Sequence, residues 1–154
     1  MLLRAALLAG LAVSLTACGG GGSSATTQAS QLPPGCTTNE VQSIVTSFLA
    51  RPSLAPAGFF TSYGSRESDG RAFTTTSAPK ALAHLEGRLR LGERDRLLQL
   101  RVSPVDINHV RIAFTITRTA PDFPARGIHF RIATGDGTVD CAHGKVAQWS
   151  QRGP

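Results

Sequence analysis

The 154-residue sequence has no apolar run that could cross a lipid bilayer, which takes about 20 consecutive apolar residues. It contains one Trp, one Tyr and one Met, and it lacks the block of like charges or the array of aromatic residues that would favour nucleic-acid binding. A phosphate-binding glycine loop, a Ser-His-Asp order and the Cys and His spacing of a zinc site are also missing. The sequence therefore predicts no nucleic-acid partner, no cofactor and no metal site.

The N-terminus has the pattern of a bacterial lipoprotein signal. A single positive charge, Arg4, precedes an apolar run over residues 5–15, as in a secretory signal peptide. The order Leu-Thr-Ala-Cys that ends at Cys18 is similar to a lipobox, in which the cysteine thiol receives a diacylglycerol and becomes the first mature residue. An ordinary secretory signal cut near Ala17 is the alternative. We expect a signal peptide over residues 1–17 and lipidation of Cys18, with palmitate among the attached chains.

Residues 18–35 are predicted to be the lipidated cysteine and a flexible linker. The stretch is rich in Gly, Ser and Thr and has no apolar periodicity, so it cannot bury a core of its own. A flexible linker of about 16 residues spans about 20–24 Å root-mean-square. A domain over residues 36–151 would then stand on the extracytoplasmic side of the bacterial cell envelope, with the membrane as its partner through the lipid anchor.

Basic residues outnumber acidic ones in the mature chain. Without Arg4, 15 Lys and Arg residues remain against 10 Asp and Glu, a formal charge of +5. This excess would draw the domain to anionic lipid or wall polymer. The coding bias of a GC-rich genome is the other explanation, and we favour it because 14 of the 16 basic residues of the full chain are Arg.

Two cysteines remain for the domain, Cys36 at its start and Cys141 near its end. Outside the cytosol such a pair is expected to oxidise. Two free thiols and a metal pair are the alternatives, but the sequence has no Cys-x-x-Cys motif or nearby His cluster that would favour a metal. We therefore predict a disulfide between Cys36 and Cys141.

Two amphipathic helices are predicted in the first half of the domain. Thr37 and Glu40 fit a capping box, and an apolar repeat of helical period follows up to Pro52, before which the helix should end. Ser77 can cap the second helix, and Gly92 fits its C-terminal end. The predicted buried stripes are Val41, Ile44, Val45, Phe48 and Leu49 in the first helix and Leu82, Leu85 and Leu89 in the second.

The rest of the domain predicts strands. The stretches "FFTSYGS" and "GRAFTTT" favour a hairpin, and three later segments alternate apolar and polar residues, as strands with one buried face do. A turn is expected over residues 135–137, and a last strand pair is expected around residues 143–144. The predicted inward positions are Leu98, Leu100, Val102, Val110, Ile112, Phe114, Ile116, Ile128, Phe130 and Ile132. Helices followed by a run of strands indicate an α+β fold, an antiparallel sheet with the helices packed on one face.

Three stretches carry a resemblance to a known superfamily: "EVQSIVTSFLA", "LAHLEGRLRLGERDRLLQLRV" and "GDGTVDCAHGKVAQWS". Their order over residues 40–151 resembles the nuclear-transport-factor-two-like superfamily, also called SnoaL-like or ketosteroid-isomerase-like. The resemblance implies a strongly curved sheet that N-terminal helices close into a cone-shaped, cystatin-like fold with a pocket. The chain departs from the pattern at "RPSLAPAGFF", which replaces a turn and a second helix, so that side of the cone is expected to be more open.

Enzymes of that superfamily place Asp, His or Tyr inside the cone, so these residue types are the first candidates for chemistry. His109 and His129 occupy polar positions of their strands and are expected to face outward. His84 lies off the main apolar stripe of its helix, and His143 lies in a turn. Four aspartates fall in turns or at polar strand positions: Asp106, Asp122, Asp136 and Asp140. No catalytic residue is predicted.

Three polar side chains are weak candidates for reaching a ligand in the pocket. Tyr63 could donate a hydrogen bond to the ligand, or it could lie at the rim. Arg94 and Arg96 share the parity of Leu98 and could bind an anion, although Arg96 could instead pair with its acidic neighbours. Trp149 is expected in the core or at an interface.

Two classes of function stay open at this point. The favoured one is a non-catalytic envelope domain that binds a small apolar ligand in the cone, or a partner protein on the polar sheet face, where a homodimer could also form. The other is an isomerase- or cyclase-like enzyme acting on a small apolar substrate. A buried Asp or His in a deep pocket would favour the enzyme, and an apolar or filled cone would favour the binding domain.

Overall fold

The computed structural model describes residues 31–67 and 70–153. The predicted signal peptide, Cys18 and most of the predicted linker lie outside the described residues. Within them the elements, in chain order, are α1 (Thr38–Ala50), β1 (Ser62–Arg66), β2 (Ala72–Thr75), α2 (Ala78–Arg90), β3 (Arg94–Pro104), β4 (His109–Thr119), β5 (Arg131–Asp140) and β6 (Lys145–Arg152). A single 3-10 turn, Pro124–Arg126, lies between β4 and β5. None of the helices in this described part is long and apolar enough to cross a membrane.

The six strands form one sheet in the order β2-β1-β6-β5-β4-β3. Four of the five pairings are antiparallel, as predicted, and β1 runs parallel to β6. Helix α1 packs on β3 and β6, and helix α2 packs on the β1–β2 hairpin, so the sheet is covered by helices and does not close on itself. The predicted α+β class is confirmed, with the architecture that the resemblance implies.

Helix α1 follows its sequence prediction closely. The capping box is present, because the Thr37 hydroxyl accepts from the Glu40 amide and the Glu40 carboxylate accepts from the Thr37 amide at 2.8 Å. The helix ends at Ala50, two residues before Pro52. Its predicted stripe is confirmed: Val41, Val45 and Phe48 are buried, and Ile44 and Leu49 pack against the same core.

Helix α2 has the predicted ends but a shifted buried face. Ser77 occupies the N-cap position without a capping bond from its side chain, and Gly92 follows the helix with φ +85°. The fully buried residue of the helix is Ala81, and Leu85 packs against the core beside it. The helix therefore approaches the β1–β2 hairpin through a small residue, not through the predicted stripe of leucines.

Strand β3 contains a bulge that reverses the predicted orientation of its first half. The register against β4 shifts between Leu97 and Gln99, so that Leu98 is the extra residue. Leu98 is half exposed, and Leu97 takes the inward position that the alternation assigned to Leu98. Beyond the bulge, Leu100 and Val102 face the core as predicted.

Strand β5 corrects a second prediction, because it runs straight through the stretch expected to be a turn at residues 135–137. The inward positions of β5 are Ala133, Gly135, Gly137 and Val139, which stand opposite inward residues of β4. Phe130 precedes the strand and is about half exposed, Ile132 faces outward and is nearly so, and Ile128 is only partly buried. The alternation of apolar and polar residues predicted the wrong inward positions because the inward side chains of this strand are small or absent.

The glycines of β5 make room for the aromatic centre of the core. The ring of Phe114 stacks on Trp149 with 3.8 Å between centroids and an interplanar angle of 17°, and Phe48 of α1 lies 4.9 Å from the same indole. A β-carbon built on Gly135 would lie 2.5 Å from the Phe114 ring and would collide with the Ser150 carbonyl of β6. Glycine at this position therefore lets the stacked pair of aromatic rings pack directly against the sheet.

Cys36 and Cys141 form the predicted disulfide, with 5.5 Å between their Cα atoms. It ties the start of α1 to the end of β5 across 105 residues of chain. Loop-closure entropy for a loop of that size corresponds to about 4.7 kcal/mol in the chain-entropy treatment. The bridge holds α1 on the end of the sheet where β4 begins.

The stretch that departs from the superfamily pattern, residues 51–60, does not leave its side of the fold open. It forms a single turn and lies along β6, where Leu54 bridges Val146 and the Ala55 amide donates to the Val146 carbonyl at 2.9 Å. This segment replaces the helix of the superfamily pattern with a covering of irregular chain. The opening of the fold lies at the other end of the sheet.

Candidate functional site

A cavity of about 860 Å³ opens between α2, the far end of the β1–β2 hairpin and the connection from β4 to β5. The apolar part of its wall comprises Ala72, Phe73, Ala83, Leu91, Ala120, Pro121 and Phe123. The polar part comprises Ser65, Glu67, Arg71, His84, Arg88, Glu93, Arg118, Asp122, Arg126 and Arg131. A cavity of this size with both surfaces could enclose a drug-sized molecule and fix its orientation.

Arg118 holds the floor of the cavity together. Its side chain is 5% exposed and forms a bidentate pair with Asp95, at 2.8 and 3.0 Å, across the β3–β4 pairing. A third bond of 2.6 Å runs from Arg118 Nη1 to Glu67, just after β1. Burial alone would lower the pKa of Arg118, but the hydrogen bond and charge of Asp95, with Glu67 and Glu93, raise it well above its usual value.

Arg88 extends this cluster from the helix side. Its Nε and Nη2 atoms both lie 2.6 Å from Glu93 Oε2, and the same carboxylate lies 3.8 Å from Arg118. The cluster thus joins two guanidinium groups, from α2 and β4, with three carboxylates, from the β1–β2 connection, the turn after α2 and β3. Because the chain segments that carry these charges surround the cavity, the cluster fixes the shape of its floor.

One wall of the cavity is aromatic. The imidazole of His84 stacks on the ring of Phe73, with 4.1 Å between centroids and 2° between planes. Tyr63 lies behind both, 5.7 Å from His84 and 6.1 Å from Phe73. Helix α2 and the β1–β2 hairpin therefore meet through three flat side chains, and His84 and Phe73 face the cavity.

Several polar atoms at this inner wall are buried without a hydrogen-bond partner among the described residues. They are Tyr63 Oη, His84 Nε2 and Arg88 Nη1. Burial raises the pKa of Tyr63, and the nearby Arg88 and Ser65 oppose that shift without being placed to complete a hydrogen bond. Burial, followed by the charge of Arg88, lowers the pKa of His84, so the imidazole is neutral at pH 7. Buried polar groups without partners cost free energy, which a ligand or a water could recover.

A second, much smaller space lies on the other side of Arg88. It has room of about 20 Å³, enough for one water molecule, between α1, α2 and β6. Its lining includes Arg88 and Gln151, each with a buried donor that lacks a partner, and the carboxylates of Glu93 and Asp95. A bound water would therefore have both donors and acceptors around it. It would hold the Arg88 side chain in place on the side that faces away from the larger cavity.

The ligand-binding candidates predicted from the sequence have separate outcomes. Tyr63 is fully buried behind Phe73 and His84 and is not among the residues that line the cavity. Arg94 and Arg96 do not reach the cavity: they face outward opposite Thr119 and Thr117, and Arg94 bonds only to the carbonyls of Leu89 and Glu93. They do share the side of Leu98, as predicted, but the bulge turns that side away from the core.

The three histidines outside helix α2 are not among the residues that line the cavity. His109 bonds to Asp106 at 2.9 Å, and His143 bonds to the buried Asp140 at 2.7 Å, both at the opposite end of the sheet. His129 is exposed. No cluster of three or more metal-ligating side chains occurs among residues 31–67 and 70–153.

His84 was assigned to the surface and is instead half-buried in the cavity wall, because the buried face of α2 centres on Ala81 and Leu85 and extends beyond the predicted leucine stripe. Arg88 and Arg118 were missed, although both carried a signal. Arg118 continues the inward parity of the residues from 110 to 116 in β4, and Arg88 follows Leu85 by three residues on the same helix face. Asp95 could not be found from the alternation, because the bulge at Leu98 shifts the parity of the residues before it relative to Leu100 and Val102.

Neither a family model nor a curated protein matches the sequence. Solved structures do resemble it. A proposed polyketide cyclase from Xanthomonas campestris pv. campestris is 12% identical over 74% of this chain and 90% of its own, with a TM-score of 0.43. A phenazine biosynthesis-related protein from Pseudomonas aeruginosa is 12% identical over 75% and 80% of the two chains, with a TM-score of 0.45.

A proposed polyketide cyclase from Pseudomonas putida KT2440 is 15% identical over 80% of this chain and 92% of its own, with a TM-score of 0.42. At TM-scores below 0.5 and identities of 15% or less, these likenesses carry no conclusion about the activity of this chain. The fold is established by the element order and sheet topology described above, and the site must be judged on its own residues.

Proposed function

We propose that the domain binds a small molecule in the cavity beside α2. The observation that carries the proposal is the cavity of about 860 Å³ whose floor is fixed by the Arg118 cluster while its inner wall holds buried polar atoms without partners. A cavity that served only for packing would be smaller and apolar, because buried polar groups destabilise a core unless they are satisfied. The size of this space and its polar side therefore favour binding of a molecule over a role in packing.

The two surfaces of the cavity indicate the chemistry of the ligand. Phe73 and His84 form a stacked pair in the wall, and Phe123, with the Arg131 guanidinium over its ring at 5.2 Å, also lines the cavity. A ligand with a flat apolar body could stack there. A hydroxyl, carbonyl or carboxylate oxygen at one end would find a donor in Arg88, which lines the cavity. The ligand is therefore amphipathic, not purely apolar as the sequence had suggested.

Gly87 offers a direct test, because it lines the cavity on α2 and a β-carbon there would meet only Arg90, at 3.9 Å. Gly87→Phe is expected to fill the cavity and abolish binding of the molecule that copurifies from the native host, measured by native mass spectrometry. Gly87→Ala is the matched control, which should retain the ligand and stabilise α2 by up to about 1 kcal/mol. Retention of the ligand by Gly87→Phe would contradict the proposed location.

A proton-transfer enzyme is the second candidate, and His84 is the observation that favours it. Its imidazole is neutral at pH 7 and lines the cavity, and its buried Nε2 has no hydrogen-bond partner among the described residues, so a small opening of the wall would present it as a general base. His84→Gln is expected to leave ligand binding within a few-fold while removing any turnover of the bound molecule. If His84→Gln leaves the bound molecule chemically unchanged relative to the wild-type chain, the binding function stands without catalysis.

We also propose that the domain is held at the membrane by lipid on Cys18, on the extracytoplasmic side of a bacterial envelope. The lipobox-like order and the short apolar run before it support this proposal. Cys18→Ser is expected to release the protein from membranes, or to leave it unprocessed with its signal attached. Intact-mass spectrometry of the protein from its native host is the measurement, and an unmodified mature terminus would refute the anchor.

We also propose that the outer face of the sheet contacts a protein partner. The half-exposed Leu98 and Ile132 support contact there with an envelope protein or with a second copy of the chain. Light scattering of the purified chain gives its molar mass in solution. A dimer mass would indicate contact between two copies of the chain, and a monomer mass would leave an envelope protein as the proposed partner.

A further inference from the structure

The two ends of the sheet differ in what they carry. At one end lies the disulfide, and the chain enters the described structure there: the Cys36 amide donates to the Pro33 carbonyl, and Leu32 packs on the core. The Cys141 amide donates to the Asn108 carbonyl at 2.7 Å, which joins the β3–β4 turn to the same end. We call this the tether end, because the residues that lead back to Cys18 join the domain here.

The tether end exposes three large apolar side chains. Val105 and Ile107 project from the β3–β4 turn and are 53% and 81% exposed. Phe59 is 48% exposed and stacks on His143 in the β5–β6 turn, 4.7 Å between centroids. Neighbouring turns thus present an apolar patch, here called the tether-end patch and comprising Phe59, Val105 and Ile107.

The acidic groups beside the patch already have partners. Asp106 accepts from the Asn108 amide at 2.8 Å and bonds to His109 at 2.9 Å. Asp140 is buried and accepts from the His143 amide and ring. These carboxylates would therefore keep their hydrogen bonds if the patch approached a weakly polar surface.

The cavity lies at the opposite end of the sheet. It is lined by Arg118 near the end of β4 and by Arg131 at the start of β5, whereas the tether end begins at His109. The ten residues from His109 to Arg118 span about 30 Å at about 3.3 Å per residue. A domain that rested on its tether end would hold the cavity about 30 Å above the surface beneath it.

We propose that the tether-end patch docks on the surface of the lipid bilayer to which the chain is anchored, so that the cavity opens away from the membrane. The proposal rests on the anchor at Cys18. A bilayer is the surface expected to contact the patch because the chain that leads back to Cys18 joins the domain at the same end. A short linker holds the domain at millimolar effective concentration near the bilayer, so three apolar side chains suffice for reversible docking. The ligand then enters from the aqueous side and is not drawn directly from the bilayer.

Hydrogen exchange on vesicles of phosphatidylethanolamine and phosphatidylglycerol tests this orientation. One arm uses the lipidated chain, and the other uses a chain with a hexahistidine in place of Cys18, held by a nickel-chelating lipid. If the domain is docked for about two-thirds of the time, amides over residues 104–109 should exchange about threefold more slowly than in the chain free in solution. Amides at the cavity end, over residues 120–127, should be unchanged.

Matched variants decide whether the patch is responsible. Val105→Ser with Ile107→Ser should remove the protection, whereas Leu98→Ser, a half-exposed leucine on the sheet face, should retain it. Unchanged exchange at residues 104–109 on vesicles in the hexahistidine arm would overturn the proposal, as would protection of the cavity end. An unmodified Cys18 in the intact mass would refute only the anchor, since the hexahistidine arm tests the docking surface without native lipid.

Discussion

Replacing Arg118 by alanine is expected to lower the free energy of unfolding by about 3–5 kcal/mol, the range for removing one partner of a buried ion pair. The guanidinium is 5% exposed and bonds to Asp95 and Glu67, so its loss leaves two carboxylates close together with less compensating charge. Urea unfolding followed by circular dichroism measures the change. The floor of the cavity should loosen at the same time, with loss of the copurified ligand.

Arg94→Ala is the control for this experiment, because Arg94 lies opposite Thr119 at the start of the neighbouring strand β3 but is exposed and bonds only to backbone carbonyls. Its replacement should change the free energy of unfolding by no more than about 0.5 kcal/mol. If Arg118→Ala were as mild as Arg94→Ala, the buried cluster would not hold the cavity floor, and the account of the site would fail.

Gly135→Ala is expected to produce the second large effect, a loss of about 1–3 kcal/mol typical of overpacking in a core. The added methyl group would meet the Phe114 ring and the Ser150 carbonyl, and β6 cannot move away without breaking its pairing with β5. The stack of Phe114 on Trp149 would be displaced with it. Thermal unfolding, together with the near-ultraviolet circular dichroism of Trp149, reports both changes.

Gly64→Ala provides the matched control, since Gly64 also lies within a strand but a β-carbon there would meet only Thr74, at an ordinary 3.6 Å. That variant should be neutral or stabilised by up to about 1 kcal/mol, because alanine loses less backbone entropy on folding. Equal destabilisation by Gly64→Ala and Gly135→Ala would mean that loss of glycine in the sheet matters, and not the space beside Phe114.

Local rules were sufficient for the helices. The capping box at Thr37 and the helical spacing from Val41 to Leu49 act within a few residues, so the sequence alone located α1 with both ends. The β1–β2 hairpin and the disulfide were found in the same way, from composition and from the even pair of cysteines that remained. The helix and the hairpin are local in sequence, whereas the disulfide joins segments 105 residues apart and was predicted because only one pair of cysteines remained in the domain.

The strands were less predictable because two kinds of irregularity interrupt their alternation. A bulge at Leu98 shifts the parity of β3, and no residue in the stretch marks it. In β5 the inward positions are occupied by Ala133, Gly135 and Gly137, so the more hydrophobic residues of that region lie outside. In β5 the cause is tertiary packing against β4, where Phe114 and Ile112 lie close to Gly135 and Gly137.

The cavity could be anticipated as a feature of the fold but not located by residue. Its floor joins Glu67, Arg88, Glu93, Asp95 and Arg118, which are separated by up to 51 residues in sequence. Charged residues in an amphipathic sequence are usually solvated, so their convergence is visible only once the strand register is known. The usable signs were Arg118 on the apolar parity of β4 and Arg88 on the helix face of Leu85.

The central claim is that the cavity beside α2 binds a small molecule, and a high-resolution crystal structure of the protein purified from its native host tests it most directly. We predict density for a non-protein molecule within the cavity, stacked near Phe73 and His84, with a polar atom within hydrogen-bond distance of Arg88. A cavity that holds only ordered water, or one filled by movement of Leu91 and the β4–β5 connection onto α2, would contradict the claim.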